Sequence, residues 1–356
     1  MLNRMSQMLA EIRQQPAALA KTLISELRST EKLKKYLATR RPKFIVLAAR
    51  GTSDNAAQFG RYLLEIATGI PVSLAAPSIY TLYKAPPSFE GSLVIAISQS
   101  GESTDTNLVL ERARAQGAFT IGITNEADSS LAKLAEHVFL VRAGREKSVA
   151  ATKTYTGQLL ALYLIAYALG AQVSLDDLRL VPDWTAEALT VEEAIRARAE
   201  RYRFMDHALV VGRGLNYSNA FEFALKMMET CYVVAERFSS ADLMHGPIAM
   251  VTHSFPAFLF APPGVTWPST RELVEKLHGL GAETLVITDR SNKEAKEVSR
   301  AVVLPMSLAR KSAIPVELFT PIPYIVPAQL FAAHLASIKG LNPDEPRTLS
   351  KVTKTM

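Results

Sequence analysis

The stretch "ISQSGEST", from Ile97 to Thr104, carries side chains that suit the binding of a phosphate group. It follows the apolar run "SLVIAI", and its glycine lets the backbone turn tightly before a helix whose first N–H groups and dipole favour an anion. The candidate donors are Ser98, Gln99, Ser100 and Ser103. A strand-to-helix turn capped by a serine uses the same residue types. Both interpretations stand for this stretch taken alone.

A second polar turn, "RGTSDN", supplies Thr52 and Ser53 after another apolar run. The Ser53 hydroxyl suits the same phosphate pocket. A helix N-cap formed by Ser53 or Asp54 is an equally good interpretation, and it does not exclude the binding role.

The segment "AFEFALKMMETCYV" predicts a buried helix, because it is apolar nearly all round. Glu222, Lys226 and Glu229 recur in it at positions i, i+4 and i+7, on one face. An exposed stripe of ion pairs would need polar neighbours, which the segment lacks, and buried charges without partners are costly. We therefore expect a carboxylate of this face to line a cavity, where it suits proton transfer to and from carbon.

Two further polar residues carry little weight on residue type alone. His245 lies in the loop sequence "SSADLMHGP" and Lys351 in the C-terminal tail, where such side chains are usually solvated.

The six histidines show no paired ligand spacing, and Cys231 is the single cysteine, so we expect neither a metal nor another cofactor.

Composition excludes several classes of protein. The 356 residues suggest about two or three domains, and 48% hydrophobic with 21% charged residues is typical of a globular protein. The net charge of +6 is dispersed, which argues against a nucleic-acid groove but suits an anionic metabolite. One cysteine and the lack of a signal-peptide pattern predict a cytoplasmic protein. The longest apolar run, "LLALYLIAYALGA" from Leu159, falls short of the about 20 residues of a membrane span, and predicts a helix in the core or at a subunit contact.

An internal repeat organises the chain. "KFIVLAARGTSDNAAQFGRYLLEIA" resembles "HALVVGRGLNYSNAFEFALKMMETC", and Gly51 and Gly214 lie 214 − 51 = 163 residues apart. "GAFTIGITNEADS" and "GAETLVITDRSNK" match at a shift of 281 − 117 = 164. Two matches at nearly one offset indicate a duplication.

Each repeat alternates short apolar strands with helices, which predicts a parallel sheet covered on both faces. The first repeat has strands near "FIVLAA", "PVSLAA", "SLVIAIS", "FTIGIT" and "HVFLV", and helices near 55–68, 104–116 and 129–135. Ligands of such sheets bind at the carboxyl ends of the strands, where both polar turns fall. The second repeat has "FLFAPPGVT" in place of the serine turn, so we predict one phosphate site per chain. The predicted segments are a helical appendage (1–40), the first repeat (41–175), a helical linker (176–200), the second repeat (201–340) and an irregular tail (341–356).

With "RGTS" and "SQSGES" in doubled strand–helix units, the chain resembles the SIS (sugar isomerase) domain family. Within it, the likeness to the isomerase half of glutamine–fructose-6-phosphate amidotransferase covers nearly everything, from "MLAEIRQQP" through "AATK", "EFALKMME" and "DLMHGP" to "LNPDEPRTLSKV". "VAATKTY" and "NPDEPRTLSKVTKTM" look closer still to SIS-type glucosamine-6-phosphate deaminases. The resemblance implies two tandem three-layer αβα sandwiches of the flavodoxin-like α/β class.

The resemblance also implies roles for individual residues. The serine turn with Ser53 holds the sugar phosphate, Glu229 moves a proton between C1 and C2, and Lys226 lies near those carbons. His245 assists ring opening from a neighbouring subunit, which implies a homodimer, and Lys351 forms an imine with the ketose. Further sugar contacts are expected from Gly51, Thr52, Val149, Ala151 and Ser350.

Two departures from the amidotransferase pattern favour a deaminase. Its sugar-binding serine is Ala151 here, and no glutaminase domain precedes residue 1, while Cys231 lies on a helix, so we expect no glutaminase activity. The predicted reaction converts glucosamine 6-phosphate and water into fructose 6-phosphate and ammonia. A fructosamine-6-phosphate deglycase, an aldose–ketose isomerase and a non-catalytic sugar-phosphate sensor remain alternatives. A sensor would need the serine turn but not Glu229, His245 and Lys351 together, and no helix-turn-helix segment is attached. No nucleic-acid or membrane partner is expected.

Overall fold

The computed structural model describes residues 6–85, 87–298, 300–311 and 313–351. Parts of the predicted appendage (1–5) and tail (352–356) lie outside the described residues. The α-helices in the described residues are α1 (Gln7–Arg13), α2 (Gln15–Ala38), α3 (Thr52–Thr68), α4 (Ser78–Thr81), α5 (Thr104–Ala115), α6 (Ser130–Leu134), α7 (Lys153–Ala168), α8 (Leu175–Leu189), α9 (Glu192–Ala199), α10 (Tyr217–Cys231), α11 (Ser240–Met244), α12 (Trp267–Gly279), α13 (Lys293–Val298) and α14 (Pro321–Ile338). The strands are β1 (Phe44–Ala48), β2 (Val72–Leu74), β3 (Ser92–Ile97), β4 (Phe119–Thr124), β5 (His137–Leu140), β6 (His207–Val211), β7 (Val234–Phe238), β8 (Pro256–Phe260), β9 (Glu283–Asp289) and β10 (Ala301–Leu304).

The chain divides into two compact units. The N-terminal unit comprises the described parts of Ala17–Glu146, Lys153–Arg179 and Leu349–Met356. The C-terminal unit comprises the described parts of Met1–Pro16, Lys147–Thr152 and Leu180–Thr348.

The N-terminal unit contains a parallel five-stranded sheet in the order β2-β1-β3-β4-β5. Its central strand β3 is buried along its whole length, and Val46 of β1 lies in register with Val94 of β3. Each parallel connection must cross over a face of the sheet, which is why continuous apolar runs alternate with helices in the sequence. The predicted strands and the helices α3, α5 and α6 are confirmed, with ends shifted by a few residues.

The C-terminal unit contains a second parallel sheet, in the order β10-β9-β8-β6-β7. Read from its other edge, this is the order of the first sheet, strand for strand, as a duplication requires. The repeated turns also match, because Gly51 and Gly214 have φ values of +57° and +58°. Only glycine adopts such values readily, so the shared Arg-Gly dipeptide marks a shared backbone turn.

The most apolar helices are buried inside the chain. In α7, 15 of 16 residues are buried, so the apolar run from Leu159 is a core helix. Its burial within the chain removes it as an indication of a subunit contact. Helix α14 is long and apolar enough to cross a membrane, yet 89% of it is buried inside the protein, as in the core helix of a globular fold.

The segments outside the two sheets are helical or irregular where they are described. The N-terminal region forms α1 and α2, and the predicted linker forms α8 and α9. Residues 341–351 contain no helix or strand.

Candidate active site

The serine turn of the N-terminal unit lies at the carboxyl end of β3, in the six residues before α5. Ser98 is buried, and its Oγ accepts the N–H of Gly101 at 3.1 Å, while Ser100 Oγ accepts the N–H of Glu102 at 3.3 Å. A hydroxyl oxygen that accepts a hydrogen bond keeps its own proton as a donor. The turn is therefore shaped by its serines without using up their protons.

Gly101 is required by the geometry of this turn. Its φ of +68° is rarely adopted by other residues, and a Cβ there would lie 2.1 Å from the Oγ of Ser129. The residue after β4 also holds the turn, since the N–H of Asn125 donates to the carbonyl of Gln99 at 3.1 Å. Ser103 precedes the first residue of α5, and its hydroxyl lies 3.0 Å from that of Thr106.

An ion pair joins the second polar turn to helix α5, which follows the serine turn. Arg50 Nη2 lies 2.7 Å from Oδ2 of Asp105, a buried residue in the first turn of α5. Ser53 is buried one residue into α3, and its Oγ accepts a hydrogen bond from Nε2 of Gln158 at 3.0 Å. The N-cap of α3 is Gly51, so the N-cap interpretation of Ser53 or Asp54 is wrong. Thr52 and Gly51 lie beside Ser53, half-buried and exposed, respectively.

The second repeat has the same turn with different contents. Six residues again separate β8 from α12, and Gly264 lies 264 − 101 = 163 positions after Gly101 with a φ of +103°. The buried side chain of Glu317 lies against this turn. Its Oε2 would be 2.1 Å from a Cβ at Gly264, and its Oε1 accepts the hydroxyl of Thr266 at 3.5 Å. A side chain of the same unit thus occupies this turn, and one phosphate site per chain stays a prediction.

The charged face of α10 is a buried ion-pair cluster in the C-terminal unit. Lys226 Nζ lies 3.3 Å from Glu222 Oε1 and 2.7 Å from Glu229 Oε2. Glu222 and Lys226 have no exposed side-chain surface, whereas Glu229 exposes 23% of its side chain. These charges are therefore paired, and Glu229 is the member that can reach a substrate.

The electrostatics of the cluster keep Lys226 charged. Burial alone lowers the pKa of its ammonium group, but the carboxylates of Glu222 and Glu229 outweigh burial and raise the pKa above its usual value. A permanently charged lysine holds the Glu229 carboxylate in place at the end of the helix face.

His245 is exposed in the C-terminal unit. It follows the last residue of α11, and its backbone N–H donates to the carbonyl of Asp242 at 3.2 Å. Gly246 then turns the chain with a φ of +141° into a short 3-10 turn, Pro247–Met250. The histidine is thus presented at the surface of its unit.

The tail residue Lys351 contacts a carboxylate that the sequence analysis missed. Its Nζ lies 3.2 Å from Oε2 of Glu146, whose side chain is completely buried in the N-terminal unit. Ser350 is exposed beside it. The charged sequence "GREKS" around Glu146 looks like a solvated loop, and only its position just before "VAATK" could have drawn attention to it.

The remaining predicted sugar contacts lie in the C-terminal unit. Val149 and Ala151 are half-buried, and the N–H of Val149 donates to the carbonyl of Asp344 at 3.1 Å. This bond ties the "VAATK" segment to the start of the tail.

Cys231 is not a nucleophile in this structure. It is buried, its Sγ donates to the carbonyl of Ala332 at 3.2 Å, and burial raises the pKa of its thiol to about 11. Because the thiolate is the reactive form, the group is inert near neutral pH. Among the residues that the structure describes, no three His, Cys, Asp or Glu side chains group as a metal site would require.

The SIS domain family matches residues 40–168 and 204–339, one match for each repeat. The chain belongs to the SIS domain family. It is accordingly of the phosphosugar-isomerase type, and the resemblance inferred from its motifs is confirmed.

Relatives and solved structures agree with this assignment. The chain is 34% identical to the glutamine–fructose-6-phosphate aminotransferase (isomerizing) of Methanothermobacter thermautotrophicus over 97% of its own length and 56% of that protein. It thus spans just over half of that relative. The C-terminal domain of the glucosamine-fructose-6-phosphate aminotransferase of Francisella tularensis matches with a TM-score of 0.85 and 29% identity, over 96% of this chain and 99% of that one. The glucosamine-6-phosphate deaminase of Thermotoga maritima shares the fold, with a TM-score of 0.78 and 22% identity, over 98% of this chain and 100% of that one.

Proposed function

We propose that this SIS protein is an amino-sugar phosphate deaminase, which converts glucosamine 6-phosphate and water into fructose 6-phosphate and ammonia. The observation that carries the proposal is the partly exposed carboxylate of Glu229, held 2.7 Å from the buried ammonium of Lys226. Binding a sugar phosphate would need only the serine turn. A fixed, accessible carboxylate is what a C1–C2 proton transfer requires in addition.

The reaction divides into three steps. The serine turn and Ser53 bind the phosphate, so that binding energy far from the reacting carbons orients them. His245 promotes ring opening. Glu229 takes the proton from C2 and returns it to C1, and a proton passes from the amino nitrogen to O1, which turns the amino aldehyde into the C2 imine of fructose 6-phosphate. Ammonia then leaves C2, and the oxygen of a water molecule ends as the C2 ketone. One carboxylate suffices, because the proton is returned to the adjacent carbon.

A second candidate is the isomerase half of an aminotransferase. The named relatives favour it, since the aminotransferase of M. thermautotrophicus is 34% identical along almost the whole chain. Ala151 supports the deaminase instead, because the amidotransferase pattern has a sugar-binding serine at that position. The sequences "VAATKTY" and "NPDEPRTLSKVTKTM" also resemble the deaminases more closely. A deglycase and an aldose–ketose isomerase are related candidates on the same scaffold.

Ammonia release from a panel of phosphorylated sugars tests the proposal. We expect ammonia from glucosamine 6-phosphate, whereas a deglycase would release an amino acid from fructosamine 6-phosphates. Glu229→Gln should lower turnover by about 10²- to 10⁴-fold while substrate binding persists. Glu236→Gln, which changes an exposed acid of the same unit, is the matched control. Full turnover by Glu229→Gln would show that the proposed mechanism is wrong.

We further propose a cytoplasmic homodimer in which each His245 serves the partner's site. Mixing inactive His245→Ala and Glu229→Gln chains tests this directly. Random pairing makes half of the dimers mixed, and one of the two sites in each mixed dimer would be intact, so about a quarter of wild-type activity should return. A mixture that stays inactive after subunit exchange would contradict a contribution from the partner.

A further inference from the structure

The contact between Lys351 and Glu146 is unlike an ordinary surface ion pair. The Glu146 side chain has no exposed surface, whereas that of Lys351 is 26% exposed at the end of an irregular tail. The carboxylate is also held without the lysine, because Oε1 accepts the N–H of Thr154 at 3.2 Å and Oε2 accepts its hydroxyl at 2.5 Å. Both donors lie in the first turn of α7, whose dipole favours a carboxylate.

This arrangement gives the two partners different roles. Glu146 is fixed by the helix, so it does not need Lys351 to be stable. Lys351, by contrast, has a long flexible side chain, and a fixed carboxylate decides where its amine rests. The contact therefore positions the amine of Lys351, and the carboxylate of Glu146 does not depend on it.

The chain segments on either side of this contact are also joined. In the C-terminal unit, Ser148 Oγ donates to the carbonyl of Pro343 at 3.5 Å, and the N–H of Val149 donates to the carbonyl of Asp344 at 3.1 Å. The Asp344 carboxylate in turn accepts the N–H groups of Gln7 and Met8 at 2.7 and 2.8 Å. The residues that follow Glu146 are thus bonded to the residues that precede Lys351.

We propose that Glu146 is the positioning residue of Lys351 and takes up the proton that its amine loses before it attacks the substrate. The inference rests on the proposed function. The neutral amine adds to C2 of the fructose imine, ammonia leaves, and a lysine imine remains. Water then adds to C2, the C2–N bond breaks to give the ketone, and the amine recovers its proton from Glu146. No oxidant or reductant is consumed.

Trapping the lysine imine with borohydride tests the role of Glu146. Wild-type protein and Glu146→Gln are incubated with fructose 6-phosphate and borohydride, and the secondary amine on Lys351 is quantified by peptide mass spectrometry. We expect trapping and kcat for ammonia release to fall by about 10²-fold with KM unchanged, since misplacing a reacting group by about 1 Å has an effect of that size. Glu345→Gln, an exposed acid of the tail, is the matched control.

The outcomes separate this inference from the proposed function. Trapping by Glu146→Gln at the wild-type rate would overturn the positioning role, as would a wild-type protein that forms no lysine imine. A wild type that traps fructose 6-phosphate but releases no ammonia would refute the deaminase proposal, while the trapping comparison still decides the role of Glu146. If Glu146→Gln does not fold, Glu146→Asp can be used instead. This variant keeps the negative charge but shortens the side chain by one methylene group. That variant should trap more slowly than wild type, and equal rates would contradict the inference.

Discussion

The buried cluster on α10 allows its structural and catalytic roles to be separated. Lys226→Met keeps most of the side-chain volume but removes the cation that lies 3.3 Å from Glu222. Glu222 has no exposed surface, so its charge would remain in the core without that cation. Removing one partner of a buried pair lowers the free energy of unfolding by about 3–5 kcal/mol. Urea denaturation followed by circular dichroism measures this loss.

A double variant provides the decisive comparison. Glu222→Gln combined with Lys226→Met removes both charges, and apolar or neutral replacement of a buried pair is often nearly neutral, so most of the lost stability should return. Ammonia release should stay low in both variants, because Glu229 no longer has the ammonium that holds it at 2.7 Å. The reasoning is refuted if the free energy of unfolding of Lys226→Met is less than about 1 kcal/mol below that of wild type. It is also refuted if the double variant is no more stable than the single variant.

Two further predictions concern the matching turns of the repeats. Gly101→Ala would place a methyl group against Ser129 at a positive φ. We expect the free energy of unfolding to fall by about 1–3 kcal/mol and sugar-phosphate binding to be lost. Thermal denaturation with and without fructose 6-phosphate measures both effects. In the second repeat, burial raises the pKa of Glu317 above its usual value. The protonated form of Glu317 therefore stabilises the native state at low pH, and this stabilisation is lost as the pH rises through the native pKa. Glu317→Gln removes that dependence, so the stability of the variant relative to wild type should increase between about pH 5 and pH 8; an unchanged difference would contradict the burial argument.

The fold could be predicted because its signals are local. Short continuous apolar runs such as "SLVIAI", alternating with helices, are typical of strands covered on both faces. The repeated Arg-Gly dipeptide marks a turn with a positive φ at Gly51 and Gly214. The doubled pattern then implies the same strand order twice. Helix α4, of four residues, has no such signal and was not predicted.

The site was harder to predict, because burial of a charge is a property of the folded chain. Glu146 stands between Arg145 and Lys147, both exposed, so its neighbours in sequence indicate a solvated loop. Its carboxylate accepts hydrogen bonds from Thr154 in the N-terminal turn of α7, eight residues further on. A contact with Lys351, 205 residues away, leaves no pattern in the sequence at all.

The comparison of the two turns shows how a duplicated fold can keep one binding site. Both turns retain the glycine and the helix that follows, so the backbone donors that favour an anion persist in both copies. The first copy surrounds them with hydroxyls, whose protons remain available after shaping the turn. The second copy replaces the polar residues with Ala261, Pro262 and Pro263 and places the buried side chain of Glu317 against its glycine. An anion-binding turn therefore need not be dismantled to lose its ligand, because a buried acid from the same unit can occupy it.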